Sequence, residues 1–244
     1  METETISESI KALARELGAE ASGIAPAARF RDAPEGFRPT DIWQDCRSVV
    51  VFLKRMPGEI ILAQSPVPYT HAAYLIYAEL DRLGLALCRA LEERGLRAVP
   101  VPCDTPYLHW EPERSHGRGI LSMRHAAWLA GLGILGRNTL LIHPEKGNMV
   151  YIGAILLAEE LEGDPLLEAF QCPPGCRICL DACTQAALDG TTVDQSRCRP
   201  HSFIRTSRGF DLYKCSDCRR MCPLRLGRGG RRARLGPSSA IHPG

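Results

Sequence analysis

No apolar run among the 244 residues approaches the roughly 18 to 20 that a bilayer-spanning helix requires, and the opening METETISESI is acidic and polar. The expectation is a cytoplasmic protein with no membrane anchor. No segment repeats at a solenoid period. A strong charge of one sign is missing too: the formal balance is only +2. Even that excess belongs to the end of the chain, where Arg225, Arg228, Arg231, Arg232 and Arg234 lie in a stretch with no acidic residue. Without those five the balance turns negative, so no basic face for nucleic acid is expected. The tail reads instead as a Gly-rich, solvated terminus.

With 45% hydrophobic and 24% charged residues, the chain can bury one sizeable core and carry a smaller appendage. ISESIKALARELGA has Ile10, Leu13 and Leu17 at helical spacing, with Gly18 as a stop. SGIAP reads as a short extended segment. SVVVFLK, residues 48–54, is a continuous β-branched and apolar run of the kind found in a strand buried on both faces. A long helix is expected over residues 70–94, striped by Leu80, Leu83, Leu87 and Leu91 and ended by Gly95. RAVPVP suggests a strand whose prolines place it at an edge or strand end. SMRHAAWLA reads as a helix running into GLGILGRN, and TLLI and MVYIGAILL read as extended. This alternation indicates a layered α/β or α+β domain. Composition shifts near Asp164, beyond which long apolar runs stop and cysteines begin, so a boundary is placed at 162–170.

Eight of the eleven cysteines fall between Cys172 and Cys222. Such crowding in a cytoplasmic chain argues for metal over disulfides. The runs are Cys172-x3-Cys176-x2-Cys179-x3-Cys183 and Cys215-x2-Cys218-x3-Cys222-Pro223, with Cys198 between them. Close spacing lets one loop wrap three thiolates around an iron-sulfur cube, while a fourth cysteine, a helical turn on, serves the neighbouring cube. That rule assigns Cys172, Cys176, Cys179 and Cys222 to one [4Fe-4S] cluster, and Cys183, Cys198, Cys215 and Cys218 to a second. Two tetrahedral zinc sites are the rival reading. Zinc ribbons usually space two CxxC pairs widely, whereas here three cysteines sit within eight residues. Cys46, Cys88 and Cys103 are read as core residues without a role.

Several features together resemble the epoxyqueuosine reductase family. They are Ala130-Gly131-Leu132-Gly133-Ile134-Leu135-Gly136-Arg137-Asn138, Lys146-Gly147-Asn148, the first cysteine run with Gln185-Ala186-Ala187-Leu188, and Arg197-Cys198 followed by CSDCRRMCP. The resemblance runs from about residue 5 to 226. It implies an α+β chain: a nitroreductase-like, cobalamin-processing-like layered domain over residues 1–165, then a bacterial-ferredoxin-like domain with two [4Fe-4S] clusters over 166–226. A basic tail expected to be disordered follows over 227–244. It also implies a cobalamin held by the first domain and reduced by one cluster. In the glycine loop, Gly131, Gly133, Gly136, Arg137 and Asn138 are the expected cofactor contacts, through exposed amides and one cationic side chain.

Two departures bear on function. The helical repeats that follow the ferredoxin segment in the tRNA-modifying members are absent from this sequence. The aspartate that those enzymes place about fourteen residues before the AGLG loop falls here on Gly117. Groups nearby that could move protons are His116, His125, Asp104 and Glu113, with His116 taken as the candidate. The resulting expectation is an iron-sulfur reductase passing electrons to a corrinoid, supplied by a donor such as a ferredoxin or flavodoxin. The alternatives are a flavin-binding reductase and an electron carrier that docks on a partner corrinoid protein.

Overall fold

The computed structural model describes residues 5–229. Helix α1 (Ile6–Glu16) is capped by the Thr5 side chain, which accepts from the Glu8 amide, and it ends at Gly18 in the left-handed region. Strand β1 (Ala21–Pro26), a helical turn α2 (Pro39–Ile42) and strand β2 (Ser48–Arg55) follow. Helix α3 spans Pro66–Glu92. It starts four residues earlier than the leucine stripe suggests, because Ser65 caps it and a proline is tolerated in a first turn, where its missing N–H would have no partner.

Next come β3 (Ala98–Val101), the hairpin β4 (His109–Glu111) and β5 (His116–Arg118), helix α4 (Met123–Leu129), the pair β6 (Ile134–Leu135) and β7 (Leu141–Ile142), and strand β8 (Val150–Leu157). The main sheet runs β1-β2-β8-β3 and is antiparallel throughout, which makes the fold α+β. β3 lies at an edge, where its Pro100 breaks no ladder between inner strands.

Every residue of β8 is buried, as are the first six of β2. Alternation then sorts them between two layers. Val50 and Phe52 pack with Ile155 and Leu157 under α1 and α3, against Ile10, Leu80, Leu83 and Leu87. Val49, Val51 and Leu53 pack with Ile152 and Leu156 on the other face, against Ala126 and Ala127 of α4. Each large apolar side chain so buried contributes roughly 1.5–3 kcal/mol. Phe52 stands opposite Gly153 in the register, where a Cβ would lie 2.3 Å from its ring. Only glycine leaves room for that phenyl ring.

The cysteine-bearing segment carries α5 (Ile178–Asp181), α6 (Gln195–Ser202), the hairpin β9 (Phe203–Arg205) and β10 (Asp211–Tyr213), and α7 (Asp217–Arg220). It is packed onto the first part. The Tyr213 amide donates to Thr70 Oγ1 of α3 at 2.9 Å, and the Arg228 amide donates to Pro144 O at 2.8 Å. Arg225 is buried, and the Arg228 guanidinium lies 4.5 Å over the Phe170 ring. The expectation of a solvated tail therefore fails for Arg225, while Arg228 is exposed; Arg231, Arg232 and Arg234 lie outside the described residues. No helix among the described residues is long and apolar enough to cross a membrane.

Candidate functional site: two cysteine sets and a shared cavity

The eight clustered cysteines gather into two sets of four. Cys172, Cys176, Cys179 and Cys222 line one apolar hollow together with Pro173, Pro223 and Arg137. The loop into it turns at Gly175, in the left-handed region, with the Cys176 amide bonded to Pro173 O, and Cys179 follows in α5. One turn of α5 points Cys183 the other way, into a large cavity that Cys198, Cys215 and Cys218 also line. Each run thus lends its last cysteine to the other's set.

Burial pushes the Cys222 thiol up to about 11 and the Cys218 thiol up to about 12. Among the described residues, no three His, Cys, Asp or Glu side chains converge as ligands of a single ion.

The cavity encloses about 1320 Å³, more than the roughly 300–1,000 Å³ of ordinary small-molecule sites. Phe37, Tyr107, Trp110 and Trp128 supply aromatic wall, and Arg124, Arg199 and Arg219 supply charge. Asp104 accepts from Tyr107 Oη at 2.9 Å, and burial raises its carboxyl pKa. His125 also lines the cavity, its Nδ1 2.7 Å from Ser122 Oγ; burial, then the charge of Arg124, lowers its pKa.

The glycine loop packs against protein. Gly131, Gly133 and Gly136 are not among the residues lining the cavity. A Cβ on Gly131 would meet Pro165 O at 2.3 Å, and one on Gly133 would meet Ile142 O at 2.5 Å, so the close backbone approach is to protein. Arg137 faces the first cysteine set. Asn138 lines both spaces and is buried; its Nδ2 donates to Cys218 O at 3.0 Å and its Oδ1 accepts from Leu140 N at 3.2 Å. Lys146-Gly147-Asn148 works the same way. Asn148 Nδ2 donates to Arg219 O at 3.3 Å, and Gly147 has Arg225 O where a Cβ would stand. Both motifs fasten the cysteine segment to the sheet domain.

His116 is not brought to the cavity either. It stays outside the cavity lining, with Nδ1 3.6 Å from Glu111 Oε1 on its own hairpin, and Glu113 is exposed in a surface turn. Gly117, where the acid was expected, does line the cavity. Its amide and carbonyl are both paired with the Gln195 side chain, at 3.1 and 3.0 Å, and a Cβ there would lie 2.8 Å from the Trp110 ring. Trp110 and Gln195 occupy the space an acidic side chain would need. Cys46 and Cys88 are buried, and Cys103 Sγ reaches Tyr77 O at 3.3 Å on the cavity wall. Asp104 was named from sequence only as one acid among several, and Tyr107, Arg124, Arg199 and Arg219 were not singled out. They come from four separate segments, the loop between β3 and β4, α4, α6 and α7, and follow no period that marks them.

Comparison with known proteins gives this arrangement a context. An epoxyqueuosine reductase of Staphylococcus aureus is 35% identical over 122 residues, 45% of this chain and 31% of that protein. The chain is related to the epoxyqueuosine reductases. It spans about a third of the length of the curated relatives it matches. A crystal structure of epoxyqueuosine reductase with an epoxyqueuosine-modified tRNA stem loop superposes with a TM-score of 0.62 at 19% identity, covering 92% of this chain and 66% of that one. That complex holds a tRNA stem loop on a similar fold. A reductive dehalogenase whose structure suggests a mechanism for B12-dependent dehalogenation superposes with a TM-score of 0.61 at 19% identity, over 91% of this chain and 32% of that one. No family model matches the chain.

Proposed function

We propose that the chain is an iron-sulfur oxidoreductase in which two [4Fe-4S] clusters pass single electrons to a corrinoid, with residues 1–165 holding the corrinoid and 166–226 the clusters. The observation that carries this reading is the second cysteine set: four thiols opening onto a cavity too large for an ordinary metabolite.

The residues fit both groups. Cys172, Cys176, Cys179 and Cys222 would hold the outer cluster, and Cys183, Cys198, Cys215 and Cys218 the one at the cavity. The aromatic wall of Phe37, Tyr107, Trp110 and Trp128 suits a flat macrocycle and excludes water from its face. When bound, the corrinoid supplies a cobalt centre that accepts single electrons. Asp104 is the proton store of the cavity wall. Its burial favours the protonated carboxyl, and Tyr107 Oη, 2.9 Å away, orients it. It takes the role that sequence reasoning gave to His116. The reductant is a small electron-transfer protein such as a ferredoxin or flavodoxin, docking near the first set beside exposed Arg137.

An electron carrier acting on a partner corrinoid protein needs only a shallow surface, and a cavity of about 1320 Å³ favours a group held by this chain. The test is anaerobic purification with iron and sulfide analysis, followed by spectral titration with hydroxocobalamin. The expected result is about eight irons and a corrinoid spectral shift that Trp110→Ala weakens. Iron without a shift would remove the corrinoid from the proposal, and zinc without iron would remove the clusters.

A further inference from the structure

The cavity-side cysteine set is bordered by arginines that no carboxylate neutralises. Arg124 on α4 gives its guanidinium to Thr139, at 2.7 Å from the carbonyl and 2.9 Å from Oγ1. Arg219 on α7 donates to Asn148 O and lies 5.2 Å over the Tyr151 ring. Neither takes part in an ion pair among the described residues. The charges that act on Arg124 are those of Arg219 and Arg199 and of the thiols Cys218 and Cys198. Asp217, the acid nearest in sequence, is engaged by Arg220 at 2.9 Å.

Uncompensated charge in a low-dielectric wall is costly. It becomes favourable once an anionic group sits between the arginines, and a cluster carried on four thiolates is anionic. The first set differs. Its Arg137 is exposed, where solvent screens it, and the buried Arg225, whose amide donates to Cys222 O, is not among the residues lining that hollow.

A partly buried cation, as Arg124 and Arg219 are, stabilises the reduced, more negative state of a neighbouring cluster over the oxidised state. We infer that Arg124 and Arg219 raise the reduction potential of the cluster held by Cys183, Cys198, Cys215 and Cys218 above that of the outer cluster, so that the electron comes to rest beside the cavity. Both residues act through the cluster and are positioning residues. The inference rests on the two-cluster reading above.

The test is an EPR-monitored redox titration of the iron-loaded full chain, comparing wild type with Arg124→Gln, Arg219→Gln and Arg219→Lys. Two midpoint potentials are expected in the wild type. Each glutamine variant should lower the higher one by about tenfold in the reduction equilibrium, about 59 mV for a one-electron couple, and leave the lower one in place. Arg219→Lys should keep most of the wild-type value. Unchanged midpoints with full iron content, or movement of the lower potential alone, would overturn the inference. If Arg219→Gln sheds iron, Arg124→Gln decides, because its side chain is tied to Thr139 and not to the cysteine segment. A wild type without cluster signals would instead refute the two-cluster reading, a separate outcome.

Discussion

Replacing Asn138 by alanine separates the expected role of the glycine loop from the role its geometry supports. The Asn138 amide is buried, donates to Cys218 O and accepts from Leu140 N. Truncation leaves a carbonyl and an N–H without partners, at about 1–3 kcal/mol for each buried group that water does not reach. Residue 138 borders both the hollow and the cavity, so water will recover part of this. The expected loss is about 2–4 kcal/mol of stability in the cluster-free protein. Urea denaturation followed by far-UV circular dichroism measures it, with hydrogen exchange showing early loss of protection around residues 215–222. If Asn138 instead served a bound cofactor, the cluster-free protein would be indifferent to the change. An Asn138→Ala variant within about 0.5 kcal/mol of wild type, with unaltered exchange, would refute the clasp.

Other outcomes follow from the same geometry. Cys179→Ala should lower iron from about eight to about four per chain, read by metal analysis of protein loaded anaerobically; undiminished iron would remove Cys179 from the ligands. Phe52→Ala should cost about 3–5 kcal/mol, because Phe52 is fully buried between α3 and Gly153, and a urea midpoint close to wild type would contradict that packing. Asp104 has a raised folded pKa from burial, so its contribution is complete below the unfolded value near 3.9 and is lost as pH rises through the folded value. Asp104→Asn should therefore be more stable than wild type at pH 7 and equal to it at low pH, while losing turnover. A stability difference that does not change with pH would contradict the assignment.

Legibility in the sequence followed the physics of each signal. β2 and β8 were evident because strands buried on both faces are apolar at every position, and α3 because leucines at helical spacing have one packing solution. The two cysteine sets were divided by the two-cluster rule, in which the fourth cysteine of each run serves the other cluster, and the same two sets line the hollow and the cavity. Glycines are less informative. The residues around Gly131 and Gly147 reveal that something comes close to the backbone there, and the partners turned out to be Pro165 and Arg225, distant in sequence. Arg124 and Arg219 carry no pattern, because what matters about them is the absence of an acid nearby, a property of the folded chain. His116 was favoured for its pKa class, and where its hairpin would turn it could not be read from the sequence; it lies beside Glu111 and outside the cavity lining.

Asp164 illustrates how the crossing between the two parts of the chain also protects the sheet. Its amide donates to Ile24 O at 3.0 Å, its Oδ2 accepts from Ile24 N at 2.8 Å, and its Oδ1 accepts from Lys11 Nζ at 2.9 Å. The connecting strap thus takes up bonding groups that the outer side of β1 would otherwise offer to a passing strand. At the opposite border Pro100 of β3 has no N–H to give. An open sheet with two free borders invites edge-to-edge pairing between molecules, and here one border is occupied and the other interrupted. Cutting or lengthening the strap near residue 164 should therefore favour self-association before it unfolds the core.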